Sequence, residues 1–137
     1  MRVRIKYLSF LSVFTFCFFS FTIKELKIKN NGYYKLATYS TNTKGDNDST
    51  VVSGNIFDLK TQEVLPSSSV TLKDMNIGTL VDNCGHFAKK IKAGTYTFVF
   101  NRVGNTELTT KTIVIKPNHN YHFIVYLDSY SLHDKSK

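Results

Sequence analysis

Four histidines, His86, His119, His122 and His133, are the side chains best suited to hold a metal or move a proton near neutral pH. His119 and His122 lie three apart around a strand start, and in a strand only alternate residues share a face. No cysteine or carboxylate joins them at a ligand spacing. They read as surface and turn residues, and no metal or cofactor is expected. The carboxylates Asp58, Glu63, Asp74, Asp82, Glu107 and Asp128 are scattered. Acid–base hydrolysis of a glycoside needs two of them facing each other across a cleft, an arrangement that the sequence neither shows nor excludes. No catalytic residue is expected. Cys84 is the thiol that remains once an N-terminal leader is removed, and it is expected to be free or to bridge two chains. No histidine or basic partner is assured beside it to lower its pKa. Lys89, Lys90 and Lys92 flank Ile91 in one strand-like run, with Lys73 and Lys116 elsewhere. Such charge supplies phosphate contacts in a nucleic-acid binder, but lysines also keep exposed sheet edges from pairing. Edge protection, or attraction to anionic polymers, is the expected role, and no nucleic-acid partner is expected.

One constellation is architectural. In IGTLVDNCGHF, residues 77–87, Asp82 and Gly85 are three apart. An Asp opening a type I turn bonds its own backbone two residues on, and a Gly at the fourth position takes the left-handed conformation that closes the loop. This spacing predicts a hairpin turn between two strands.

The elements that carry these residues are strands. Trp is absent while Phe (11) and Tyr (8) are plentiful, a balance that favours β-structure. Strand-like runs bounded by turn formers recur from Thr50 onward: 51–57, 68–73, 78–82, 86–92, 94–103, 107–116 and 121–128. Leu108 is out of phase with Ile113 and Ile115, which predicts a bulge between them. The expectation is an all-β, seven-stranded sandwich over residues 50–128. Its core draws on Val52, Ile56, Leu65, Val70, Leu72, Phe87, Ile91, Tyr96, Phe98, Phe100, Ile113, Ile115, Phe123, Val125 and Leu127. Residues 129–137 form a polar tail.

Ahead of that domain the chain changes character twice. Arg2, Arg4 and Lys6 supply three of the cations behind the net charge of +8, and LSFLSVFTFCFFSF, residues 8–21, follows without a charge. A basic start and a short apolar run form the layout of a secretory signal. The run is short for a membrane span of roughly 20 residues. Residues 1–22 are therefore read as a signal peptide cleaved after Thr22, with an uncleaved signal anchor as the alternative. Phe14-Thr15-Phe16 is too bulky for lipid attachment at Cys17. Residues 23–49 are mixed and then polar, with no sustained period, and are expected to be a flexible linker.

Several short stretches in order also carry a resemblance. Gly54, Ile56 and Asp58; Thr61-Gln62-Glu63; Leu65-Pro66-Ser67-Ser68; Gly78, Thr79, Asp82, Gly85 and Phe87; Gly94 and Tyr96; and Val103-Gly104 follow one another across 51–128. This succession resembles the carboxypeptidase regulatory-like domain, a prealbumin-like (transthyretin-like) β-sandwich with Ig-like architecture. The resemblance implies structural turns at Asp82, Gly85, Gly94 and Gly104. It implies no catalysis, because in the peptidases this domain stands beside the catalytic one. A similar domain precedes the plug of many TonB-dependent outer-membrane receptors. The expected role is an exported, non-enzymatic interaction module of the periplasm, outer membrane or cell surface. Its partner would be an envelope protein, such as a TonB-dependent receptor, or a polysaccharide, with membrane contact only through the N-terminal segment if uncleaved. As a carbohydrate-binding module it would present Tyr121 or Tyr130 to sugar.

Overall fold

The computed structural model describes residues 22–28, 32–41 and 49–130, with side chains from residue 32 onward. Eleven strands lie in these residues: β1 (Thr22–Ile28), β2 (Gly32–Ser40), β3 (Ser49–Asp58), β4 (Ser69–Leu72), β5 (Gly78–Leu80), β6 (His86–Lys92), β7 (Gly94–Tyr96), β8 (Phe98–Asn101), β9 (Leu108–Thr109), β10 (Ile113–Ile115) and β11 (His119–Leu127). One sheet runs β1-β2-β11-β3-β6, a second β5-β4-β8-β9, and β10 and β7 form a small third. The neighbours are antiparallel except β3 and β11, which run parallel from Tyr121 opposite Val52 to Leu127 opposite Asp58. The result is an all-β sandwich.

Alternation decides which residues face inward. On β3, Thr50, Val52, Gly54, Ile56 and Asp58 are buried, and on β11 so are Tyr121, Phe123, Val125 and Leu127. The second sheet answers with Val70, Leu72, Phe98 and Phe100. The phenyl ring of Phe123 sits at the centre, tilted against Phe98 at 5.0 Å and Phe100 at 5.5 Å between centroids. Such inclined contacts are the favourable arrangement for aromatic quadrupoles. Gly54 lets this centre close, since a Cβ there would strike the Phe123 carbonyl oxygen and stand 2.8 Å from the Phe87 ring.

The strand count differs from seven for two physical reasons. First, the runs 94–103 and 107–116 each break in two. Val99 pairs with Thr109, but Tyr96 pairs with Ile113, so one extra residue is accommodated on the second run. That is the bulge expected between Leu108 and Ile113. Thr110, buried there, accepts the Phe98 N–H on its hydroxyl at 2.9 Å, and its own N–H bonds the Phe98 carbonyl. Second, the segment expected to be linker holds two strands. β2 pairs along β11 from Ser40 opposite His119 to Gly32 opposite Leu127, and β1 pairs along β2. Tyr34 of β2 is wholly buried and Ala37 nearly so. The linker assignment for 23–49 is corrected on this point: a run without sustained period still forms a strand where a distant strand, here β11, lies beside it to pair. The expected signal (apart from Thr22) and the tail beyond Tyr130 lie outside the described residues. Among the described residues, no helix is long and apolar enough to cross a membrane.

Candidate functional site

The four turn residues occupy three kinds of position. Asp82 carries a dense turn: its carboxylate accepts the N–H groups of Cys84 and His86, both at 2.9 Å, and its carbonyl accepts the Gly85 N–H at 3.0 Å. Gly85 has φ +75°, and a Cβ there would lie 2.8 Å from Val64 Cβ. The Asp82 N–H bonds the His86 carbonyl at 2.9 Å across the turn, but the ladder stops there; β5 belongs to one sheet and β6 to the other. The turn is a crossing between layers rather than the end of a hairpin ladder. Gly104 (φ +88°) closes the turn in which the Asn105 N–H bonds the Arg102 carbonyl at 3.1 Å. Gly94 has no left-handed backbone; Tyr96 folds over it and donates its hydroxyl to the Lys92 carbonyl at 3.0 Å.

The histidines stay apart in function. His119 Nδ1 lies 2.8 Å from the Pro117 carbonyl oxygen, and His86 Nδ1 lies 4.0 Å from Asp82 Oδ2. His122 shares a 3.0 Å contact with Ser53 Oγ on the outer face of the five-stranded sheet. Burial holds His122 below the usual imidazole range, and the nearby His86 adds to this. His133 lies outside the described residues. Among the described residues, no three His, Cys, Asp or Glu side chains gather as metal ligands. Asp58 is a turn residue too. It accepts N–H groups from Lys60 and Thr61 and the Asn105 amide, and the Thr61 N–H is the foremost reason its carboxyl is held below the ordinary carboxylate range. Cys84 is exposed as a free thiol.

The aromatic residues correct one expectation. Tyr121 is buried; its hydroxyl accepts the Lys116 N–H at 2.9 Å and donates to the Val114 carbonyl at 3.3 Å, which occupies edge groups beside β10. It cannot present a ring to sugar. Tyr130 is exposed, with its N–H on the Gly104 carbonyl. A row of rings does cross the outer face of the larger sheet. Tyr33 stacks on Tyr126 at 4.7 Å and Tyr126 on Phe57 at 5.4 Å, with Lys35 Nζ 5.9 Å from the Tyr33 centroid. Each of these rings gives a face to its neighbour in the row. A sugar stacks on an open ring face, so the row is cross-strand packing rather than a platform.

The surface that sequence reasoning missed is the free edge at β5. Met75, Ile77 and Leu80 are 49%, 42% and 74% exposed along it. With Ser69, Thr71 and Asn76 they border a shallow trough of about 330 Å³. On the inner side, Ile77, Thr79 and Lys89 line a narrow apolar slot between the sheets. Three apolar residues among turn formers give no sequence signal of this kind, because edge position is set by the pairing of distant strands.

Residues 52–134 match the CarboxypepD_reg-like domain. The chain belongs to this family. The CarboxypepD_reg-like domain is a regulatory fold without catalysis of its own, and β1 and β2 lie ahead of its matched span. No curated protein matches the chain. Solved structures with a similar fold include 3-chlorocatechol 1,2-dioxygenase from Rhodococcus opacus 1CP (9% identity, TM-score 0.48) and hydroxyquinol 1,2-dioxygenase from Pseudomonas putida DLL-E4 (9%, 0.49). Catechol 1,2-dioxygenase from Acinetobacter sp. ADP1 is a third (10%, 0.50). They overlap 66%, 64% and 67% of this chain, which spans 64%, 59% and 56% of theirs. At 10% identity the likeness to the third concerns the sandwich alone.

Proposed function

We propose that the chain is an exported, non-enzymatic interaction module of the cell envelope whose partner is another protein. The observation that supports this reading is the exposed apolar line Met75, Ile77 and Leu80 on an edge that carries no charge. The other edges of the two larger sheets differ. β6 displays Lys89, Lys90 and Lys92, β1 (TIKELKI) carries two lysines and a glutamate, and β9 is two residues long. Charge and brevity are the usual guards against unwanted pairing. β5 is also short, at three residues, but it carries no charge and its exposed side chains are apolar; an uncharged apolar edge suits a partner, and apolar contact area favours a protein over a sugar. A polysaccharide partner loses support because Tyr121 is buried and the rings of the Tyr33–Tyr126–Phe57 row stack on one another. The test is a photo-cross-linking amino acid placed at Ile77 in cells, with Val114 as an exposed control site on another sheet. One discrete protein adduct from position 77, absent from 114, is the expected result. Equal or no products from the two positions would remove the reading.

A further inference from the structure

We propose that β5 is a docking edge that takes an extended segment of the partner as an added strand, apolar where it lies beside Leu80 and acidic where it turns toward Lys89. This rests on the protein-partner reading above and names how the partner is held. The pairing register supplies the first step. Leu72 N–H bonds the Ile77 carbonyl and Val81 N–H bonds the Ser68 carbonyl, both at 2.9 Å, while Ser69 faces Leu80 and Thr71 faces Gly78. Backbone groups alternate in direction along an antiparallel pair. Ile77, Thr79 and Val81 therefore turn theirs toward β4, and Gly78 and Leu80 aim N–H and C=O away from it. No strand among the described residues pairs with that side. Two donors and two acceptors stand ready at ladder spacing, the requirement for main-chain recognition of an extended peptide.

Side-chain direction supplies the second step. Gly78 and Leu80 share the outer face with Thr71 and Ser69, so an incoming residue opposite Leu80 lies against that 74% exposed side chain and the trough beside it. An apolar residue gains most there. The next residue of the incoming strand points to the other face, as period two requires. There it meets Ile77, Thr79 and the side chain of Lys89 at the mouth of the slot. Lys89 has the inward parity of Phe87 and Ile91 but is exposed, with Lys92 farther along β6. Lys73 and Asp74 in the preceding turn carry opposite formal charges and add no net charge. A carboxylate at this alternate position complements the local charge, which fixes register and discriminates among partners.

The probe is a fluorescent octapeptide of alternating Val and Glu, titrated by anisotropy against the full chain. Saturable binding is expected. The same peptide N-methylated at every Val, and an alternating Val–Lys peptide, should each bind at least about tenfold more weakly. Leu80→Pro removes an outward donor together with the exposed leucine side chain, a substitution that edge strands tolerate, and should weaken binding at least about tenfold. Leu80→Lys adds the charge that the β1 and β6 edges carry and should do the same, while Lys89→Glu should invert the preference toward the Val–Lys peptide. Circular dichroism confirms that each variant is folded. Equal binding of the N-methylated peptide, or an unchanged preference in Lys89→Glu, overturns the proposal. So does a chain dimer that Leu80→Lys dissolves, because a second copy is then the occupant. If the octapeptide fails while position 77 still cross-links one protein in cells, strand addition falls and the interaction module stands. If both fail, both readings fall.

Discussion

Tyr34 tests whether the N-terminal strands belong to the folded unit. It lies in the segment whose composition suggests a linker, yet its side chain is fully buried and its ring packs 6.0 Å from Phe123. Truncating a buried aromatic ring to alanine costs about 3–5 kcal/mol, as lost transfer energy plus the cavity left behind. For a domain of this size each kcal/mol shifts Tm by roughly 4–8 °C, so Tyr34→Ala should lower it by at least about 12 °C. The hydroxyl should behave differently. Among the described residues it has no hydrogen-bond partner; the Lys111 backbone faces it without reaching bonding geometry, and burial raises the phenol pKa. A buried polar atom without a partner carries a desolvation cost, so Tyr34→Phe should be neutral or stabilising by up to about 1 kcal/mol. Thermal and urea unfolding of both variants, in a chain beginning at Ile23, provide the assay. A loss below about 2 °C for Tyr34→Ala would refute the argument. Residues 50–128 would then form the cooperative unit alone, and β2 would be an appendage.

Two further outcomes follow from the turns and the sheet face. Gly85→Val combines φ +75° with a Cβ 2.8 Å from Val64, and should cost at least about 1–2 kcal/mol by denaturant titration; an unchanged midpoint would sink this account of the turn. His122 has its pKa lowered in the folded state, so the unfolded chain takes up the proton first. Its contribution is present above the unfolded value of about 6.5 and is lost as pH falls through the folded value. Unfolding free energy followed downward from pH 7.5 should fall across that window in the parent and less so in His122→Gln, and parallel curves would contradict it.

Much of the sandwich is legible in the sequence because period-two alternation and turn formers coincide from Thr50 onward. Val52, Ile56, Phe98, Phe100 and Phe123 follow from alternation alone, and all are core residues. Leu108 out of phase with Ile113 is enough to locate the bulge. What escapes is whatever depends on a strand far away in sequence. Tyr34 is apolar among Lys35, Thr38 and Tyr39, and nothing local says that β11 will lie beside it. Tyr121 reads as an accessible loop aromatic, but it is the first buried residue of β11, and its hydroxyl serves the backbone beside β10. Asp82 and Gly85 reveal a turn but not its destination, since the same four residues can return a strand onto its neighbour or send it to the opposite layer. The β5 edge is hidden for the same reason: which strand is last in a sheet is a property of topology.

The place of β1 also changes how the domain would stand relative to a membrane. A 27-residue coil over 23–49 would reach roughly 30 Å, and a module on such a tether would search for partners by diffusion of the tether. With β1 over Thr22–Ile28 and β2 over Gly32–Ser40, that reach is gone, because the segment is spent on pairing. Thr22 is the first residue of β1 and follows the apolar run 8–21 directly. If a signal is cleaved after Thr22, the mature chain starts one residue into an edge strand. Should the apolar run instead remain as an anchor, the five-stranded sheet would be held against the bilayer by its β1 side. In the sheet order β1-β2-β11-β3-β6, β1 is one edge and β6 the other, and β5 lies in the second layer beside the turn into β6. The anchored edge and the docking edge are then separate strands in different sheets. A partner strand on β5 would be taken up without disturbing the attachment, and binding at the one would not require the other to move.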